Sequence, residues 1–134
     1  MIICIDFDGT LHMGKWPGIG LPAPHSVDVM RRLKEDGHYL IIWTCREGKE
    51  QTEMVNWMLE HGIPFDRIND HHPDSIRQYG SSSRKVYAHL YVDDKQVGGL
   101  PMWKDIYEYA KKQEEEYLNT HKSEEFVVGV SILE

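Results

Sequence analysis

The densest chemistry in the chain lies near its start, in Ile5-Asp6-Phe7-Asp8-Gly9-Thr10-Leu11. Two carboxylates alternate there, directly after the apolar run Ile2-Ile3-Cys4-Ile5, which predicts a buried strand. Desolvating two unpaired carboxylates is costly, so a strand that ends this way needs a positive partner. A divalent metal is the simplest one, because hard oxygen ligands suit it. The chemistry this would support is metal-assisted phosphoryl transfer with one aspartate as nucleophile.

The elements that must position these groups follow from periodicity. Residues 2–6 predict the first strand, and the Gly/Pro-rich stretch 12–24 predicts a loop or flap. Residues 26–36 predict a helix with Val27, Met30 and Leu33 inward, stopped by Gly37. Tyr39-Leu40-Ile41-Ile42-Trp43 predicts a second buried strand ending at Thr44-Cys45-Arg46. Residues 50–60 predict a helix with Met54, Val55, Met58 and Leu59 on one face, and residues 64–68 a weak third strand. A polar stretch over 69–84, with a helical turn near 75–78, leads to a fourth strand over 86–92 that ends in Asp93-Asp94. A helix over 102–118, with Ile106, Tyr109 and Ala110 inward, precedes a last strand or interface segment over 126–132. Strands alternating with helices imply a single α/β domain over 1–134 with a mainly parallel sheet.

Bulk properties narrow the function classes. The 134 residues form one domain with ordinary globular composition, 40% hydrophobic and 28% charged. No apolar run reaches the roughly 20 residues of a membrane span, and no secretory pattern opens the chain. Two cysteines make no disulfide framework, so a cytoplasmic, reduced protein is expected. A net charge of −7 disfavours binding to a nucleic-acid backbone, although a local basic pocket remains compatible with it. The late runs Glu114-Glu115-Glu116 and Glu124-Glu125 predict a solvated helix face.

Ligands of open parallel sheets bind beyond the carboxyl ends of strands. Asp6 with Asp8, Thr44, the Asn69-Asp70 region and Asp93-Asp94 all sit at such ends. The ordered set Asp6-Phe7-Asp8-Gly9-Thr10, Thr44 and Asp93-Asp94 resembles the haloacid dehalogenase-like phosphohydrolase superfamily along nearly the whole chain. The resemblance implies a Rossmann-like three-layer sandwich, strand order 3-2-1-4-5, and a magnesium ion. It implies that Asp6 attacks phosphorus to form an aspartyl-phosphate, and that Asp8 moves protons and lends its backbone carbonyl to the metal. It also implies that Gly9 and Thr44 hold phosphoryl oxygens while Asp93 and Asp94 complete the metal site. Arg46 resembles the basic residue of the Thr/Ser-x-Arg seen in polynucleotide-kinase-type 3′-phosphatase domains, a clamp on substrate phosphate or carboxylate.

A cation facing Asp6 is part of that pattern, with four candidates: Lys85, Lys95, Arg46 and Arg77. Lys85 comes first by chain order. A straight strand from 86 to 92 would nevertheless set it about 26 Å from Asp93, at roughly 3.3 Å per residue. Lys85 reaches the site only if the strand starts later and the preceding segment folds back. His71 and His72 lack a ligand set for zinc and predict a plain polar loop. Trp16 serves either as a packing anchor for the flap or as a substrate-stacking surface, while Trp57 and Trp103 predict packing.

The chain leaves no room for a cap domain, and capless members act on large substrates or borrow a lid from another subunit. The expected function is a magnesium-dependent phosphomonoesterase. Its substrate is a phosphorylated small molecule or polymer end, and a homo-oligomer is compatible with the 126–132 segment. The alternative is a receiver-like or degenerate module that binds phosphate and metal without turnover.

Overall fold

Five residues, the middle three buried on both faces, set the sheet's centre. The structure, a computed structural model, describes residues 1–80 and 83–128, the last eight of these as backbone only. Strand β1 (Ile2–Asp6) lies between β2 (Tyr39–Trp43) and β4 (Leu90–Val92), with β3 (Arg67–Ile68) outside β2. The order is β3-β2-β1-β4 and every pairing is parallel. The register sets Asp6 beside Trp43 and Ile5 beside Val92, so Asp93 emerges next to Asp6 at the carboxyl end of the sheet.

The two faces of the sheet are covered unequally. Ile3, Ile5, Leu40 and Ile42 point into the main core, as side chains two apart in a strand must. That core also takes Met30 and Leu33 from α1 (Ser26–Glu35), Met54, Trp57 and Met58 from α2 (Gly48–Glu60), and Trp103, Ile106, Tyr107 and Ala110 from α4 (Trp103–Val128). On the other face, Cys4 and Ile41 form a small core with Val86 and Ala88 among the described residues, with Ile2 and Tyr39 at the margin. The short α3 (Pro73–Tyr79) lies in the connection that crosses this face. Two inward positions differ from the helical pattern: Leu59 and Tyr109 are exposed, and Tyr107 is buried in place of Tyr109.

Three expectations about the sheet are corrected. The third strand is two residues long. The fourth begins at Leu90, not at residue 86: His89 N–H still donates to the Ile2 carbonyl of β1 at 2.8 Å, but the backbone at Val86 and Ala88 bonds elsewhere. The Tyr91 hydroxyl accepts from Ala88 N–H at 3.1 Å and donates to the Val86 carbonyl at 2.7 Å. His71 fastens the same segment: it donates from Nε2 to the Ser83 carbonyl at 2.6 Å, and its Nδ1 faces Tyr87 N–H. Both His71 and His72 are thus structural, since His72 accepts at Nδ1 from Asp74 N–H and packs on Tyr39.

The expected last strand over 126–132 is also not seen as such. Residues 126–128 continue α4, whose run of Lys, Gln and Glu favours helix, and residues 129–132 lie outside the described residues. The sheet has four strands among the described residues. No helix among them is long and apolar enough to cross a membrane.

Tyr91→Phe removes a hydroxyl that serves two backbone groups. It is expected to lower unfolding stability in urea by about 1 kcal/mol and to speed amide exchange at Ala88. Unchanged exchange at Ala88 would show that the segment is held by other contacts.

Candidate active site

A parallel strand that ends in Asp6 delivers one carboxylate, and β4 delivers two more. Asp6, Asp93 and Asp94 each offer an oxygen within 4.8 Å of the others. Thr10 ties them together from a fully buried position. Its hydroxyl donates to Asp6 Oδ2 at 3.0 Å, with Asp94 Oδ1 at 3.4 Å, and accepts from Asp94 N–H at 3.0 Å. Its carbonyl accepts from Trp103 Nε1 at 3.0 Å, which anchors the turn on α4. Gly9 lies between with φ +80°, and a Cβ there would collide with the Asp94 carboxylate. Glycine at this position is therefore a condition for bringing the two strand ends together.

The electrostatics are those of a site short of positive charge. Burial, with hydrogen bonding to Asp94 and the charge of Asp93, pushes Asp6 up to about 7. Burial and the charges of Asp93 and Asp6 likewise push the Cys4 thiol up to about 12. Three hard carboxylates without histidine or cysteine suit a magnesium-like cation better than zinc.

Asp8 has a different environment from Asp6. Its side chain does not join the three carboxylates. It receives Arg46 Nε at 2.9 Å on Oδ2, and Arg46 Nη2 at 2.7 Å with His12 Nε2 at 2.8 Å on Oδ1. Burial alone would raise Asp8, but the Arg46 guanidinium and the His12 ring hold it below its ordinary value. His12 is fully buried and accepts at Nδ1 from Gly14 and Gly20 N–H, so its proton sits on Nε2, facing Asp8.

Arg46, expected on substrate phosphate, is held by Asp8 here: its guanidinium is buried at 1% exposure, clamped on Asp8, and donates to the Pro17 carbonyl at 3.1 Å. Thr44 is fixed by Asn69, which accepts from Thr44 N–H at 2.8 Å and donates to the Thr44 carbonyl at 2.7 Å. The Thr44 hydroxyl accepts from Arg46 N–H at 3.0 Å, which leaves its own proton to donate.

The folded-back segment brings Lys85 to the site. It lines a cavity of about 130 Å³ together with Cys4, Asp6, Trp43, Tyr91 and Asp93. Its Nζ rests 5.2 Å from the Tyr91 ring centre. Lys95 Nζ lies 3.7 Å from Asp94 Oδ2 on the solvent side. Arg77 pairs with Asp74 on the exposed side of α3.

His12, Thr10 and Asn69 carry the site yet were assigned no role from the sequence. The i,i+4 spacing of Asp8 and His12 and of Asp6 and Thr10 was the available signal.

No family model matches the chain, and no curated protein matches it. A solved structure of a conserved protein from Bacteroides thetaiotaomicron is 37% identical, with a TM-score of 0.76, over 84% of this chain and 91% of that one. The chain belongs to that protein's family.

Two measurements test the site. Arg46→Ala leaves the Asp8 carboxylate without its guanidinium partner, so a loss of about 3 kcal/mol is expected in chemical denaturation. The raised Asp6 means that the native state binds more protons than the unfolded chain between 3.8 and about 7. Its contribution to stability in EDTA therefore falls as pH rises through that window. Asp6→Asn is expected to flatten this fall, and added magnesium to reverse it in the unsubstituted protein. A pH profile identical in both proteins would refute the assignment.

Proposed function

We propose that the protein is a magnesium-dependent phosphomonoesterase of the haloacid dehalogenase-like type, acting through an aspartyl-phosphate on Asp6. The observation that carries this is the meeting of Asp6, Asp93 and Asp94 at the carboxyl end of a parallel sheet, with Lys85 lining the same cavity as Asp6. The β3-β2-β1-β4 order supports it as the first four strands of a 3-2-1-4-5 sheet, whose fifth strand would flank β4.

Asp6, Asp93 and Asp94, with the Asp8 carbonyl, would hold the cation. The chemistry supplied by bound magnesium is neutralisation of the acidic cluster and polarisation of the phosphoryl oxygens. Asp6 would then attack phosphorus in line; the bond from phosphorus to the leaving oxygen breaks as the Asp6 oxygen–phosphorus bond forms, and Asp8, protonated for this step, gives the leaving oxygen the proton that it recovers from water in the second step. Lys85 offsets charge on the phosphoryl group, and the Thr44 hydroxyl donates to one of its oxygens. In the second step water attacks phosphorus, Asp6 is released, and the water's proton passes to Asp8. The Arg46 pair on both Asp8 oxygens opposes protonation of Asp8, so this role needs that pair to loosen.

That same pair favours a second reading, a module that binds phosphate and metal or keeps the phosphoryl group on Asp6 without turnover. Release of phosphate from an aryl phosphate in magnesium separates the two. Turnover lost in EDTA, and reduced about a thousandfold or more in Asp6→Asn, is expected for the phosphatase. A lasting phosphoryl adduct on the Asp6 peptide, without phosphate release, would favour the module.

A further inference from the structure

We infer that Trp16 is a stacking platform that selects phosphomonoesters whose leaving group carries a planar ring. This deepens the phosphomonoesterase proposal and rests on it. In-line attack by Asp6 sends the leaving oxygen away from the nucleophile and out of the sheet end, where the chain continues from β1 into the flap. The flap's large exposed apolar side chains are Met13, Trp16 and Leu21. Of these, Trp16 is joined to the proton-handling group through one residue. The Arg46 Cζ sits 4.8 Å from the Trp16 ring centre, and Arg46 Nη2 reaches Asp8 Oδ1 at 2.7 Å.

The mounting is rigid. Arg46 is buried between rings, with Phe7 at 5.3 Å, and is hydrogen-bonded to Pro17 beside Trp16. The neck of the flap is closed on His12 through Gly14 and Gly20, which lie so near each other that a Cβ on either would collide with the other. Trp57 Nε1 also donates to the Gly20 carbonyl at 3.2 Å. Yet Trp16 itself is 57% exposed. A tryptophan that only packed the flap would bury most of its ring. One that rests on a fixed guanidinium and leaves much of its surface open offers a preorganised surface at low entropic cost.

The test uses the full chain with magnesium, 1-naphthyl phosphate and glycerol 2-phosphate, and the proteins Trp16→Ala, Trp16→Leu and Trp16→Phe. The readout is the ratio of kcat/KM for the two substrates. A stacked ring predicts a ratio about 5- to 100-fold lower in Trp16→Ala and Trp16→Leu, with most of it kept in Trp16→Phe. Equal loss on both substrates, or a ratio that Trp16→Leu keeps, would overturn the platform while leaving the phosphatase intact. Binding of 1-naphthylmethylphosphonate, followed by calorimetry, reads the platform without turnover. If neither substrate is hydrolysed, affinity weakened by Trp16→Leu and kept by Trp16→Phe upholds the platform alone. Affinity indifferent to Trp16 refutes it.

Discussion

A buried guanidinium has to be neutralised and hydrogen-bonded where it lies, and Arg46 meets that constraint with Asp8. Everything around the flap follows from this pair. Asp8 comes from the turn after β1 and Arg46 from the turn after β2, so the contact joins two neighbouring strand ends. His12 completes the Asp8 carboxylate and closes the flap neck through two glycine amides. Pro17 and Trp16 then settle on the free edge and face of the guanidinium. The charge pair, with His12 and Trp57 at the flap neck, therefore ties the flap to the sheet.

Two aspartates two residues apart consequently have opposite electrostatics. Asp8 faces an arginine and a histidine and stays ionised. Asp6 faces Asp93 and Asp94 and is raised. The difference arises from which strand ends they meet, since their local sequence contexts are nearly alike. Asp6 sits in the β1–β4 corner, where Thr10 and Gly9 allow Asp94 to approach closely. Three carboxylates thus share one corner, with a separate, already compensated carboxylate held nearby.

Much of the frame was legible from periodicity. The buried strands β1 and β2 have apolar runs with no competing pattern, and helices α1 and α2 show three- and four-residue spacing closed by Gly37 and Gly62. The fourth strand was misjudged because Val86 to Val92 is apolar enough for a ladder, while the hydroxyl of Tyr91 draws the preceding backbone off the sheet. The helical pattern gave Tyr109 an inward place that Tyr107 takes, because the buried arc of α4 is set by its crossing of α1 and the sheet. The site was legible as an acid pair at each of two strand ends. The fate of Arg46 was not, because a residue type shows charge but not which carboxylate it will meet.

The sequence by itself determined an α/β chain, the strand that ends in Asp6 with Asp8 just beyond it, and the second acid pair that meets Asp6. These depend on apolar periodicity and on residue order, which are local. Tertiary structure alone decided that Asp8 turns toward Arg46 while Asp6 turns toward Asp93 and Asp94. It also decided that Lys85 reaches the cavity by a segment that folds back. Such choices are made by hydrogen bonds between residues tens of positions apart, whose geometry exists only once the strands have paired.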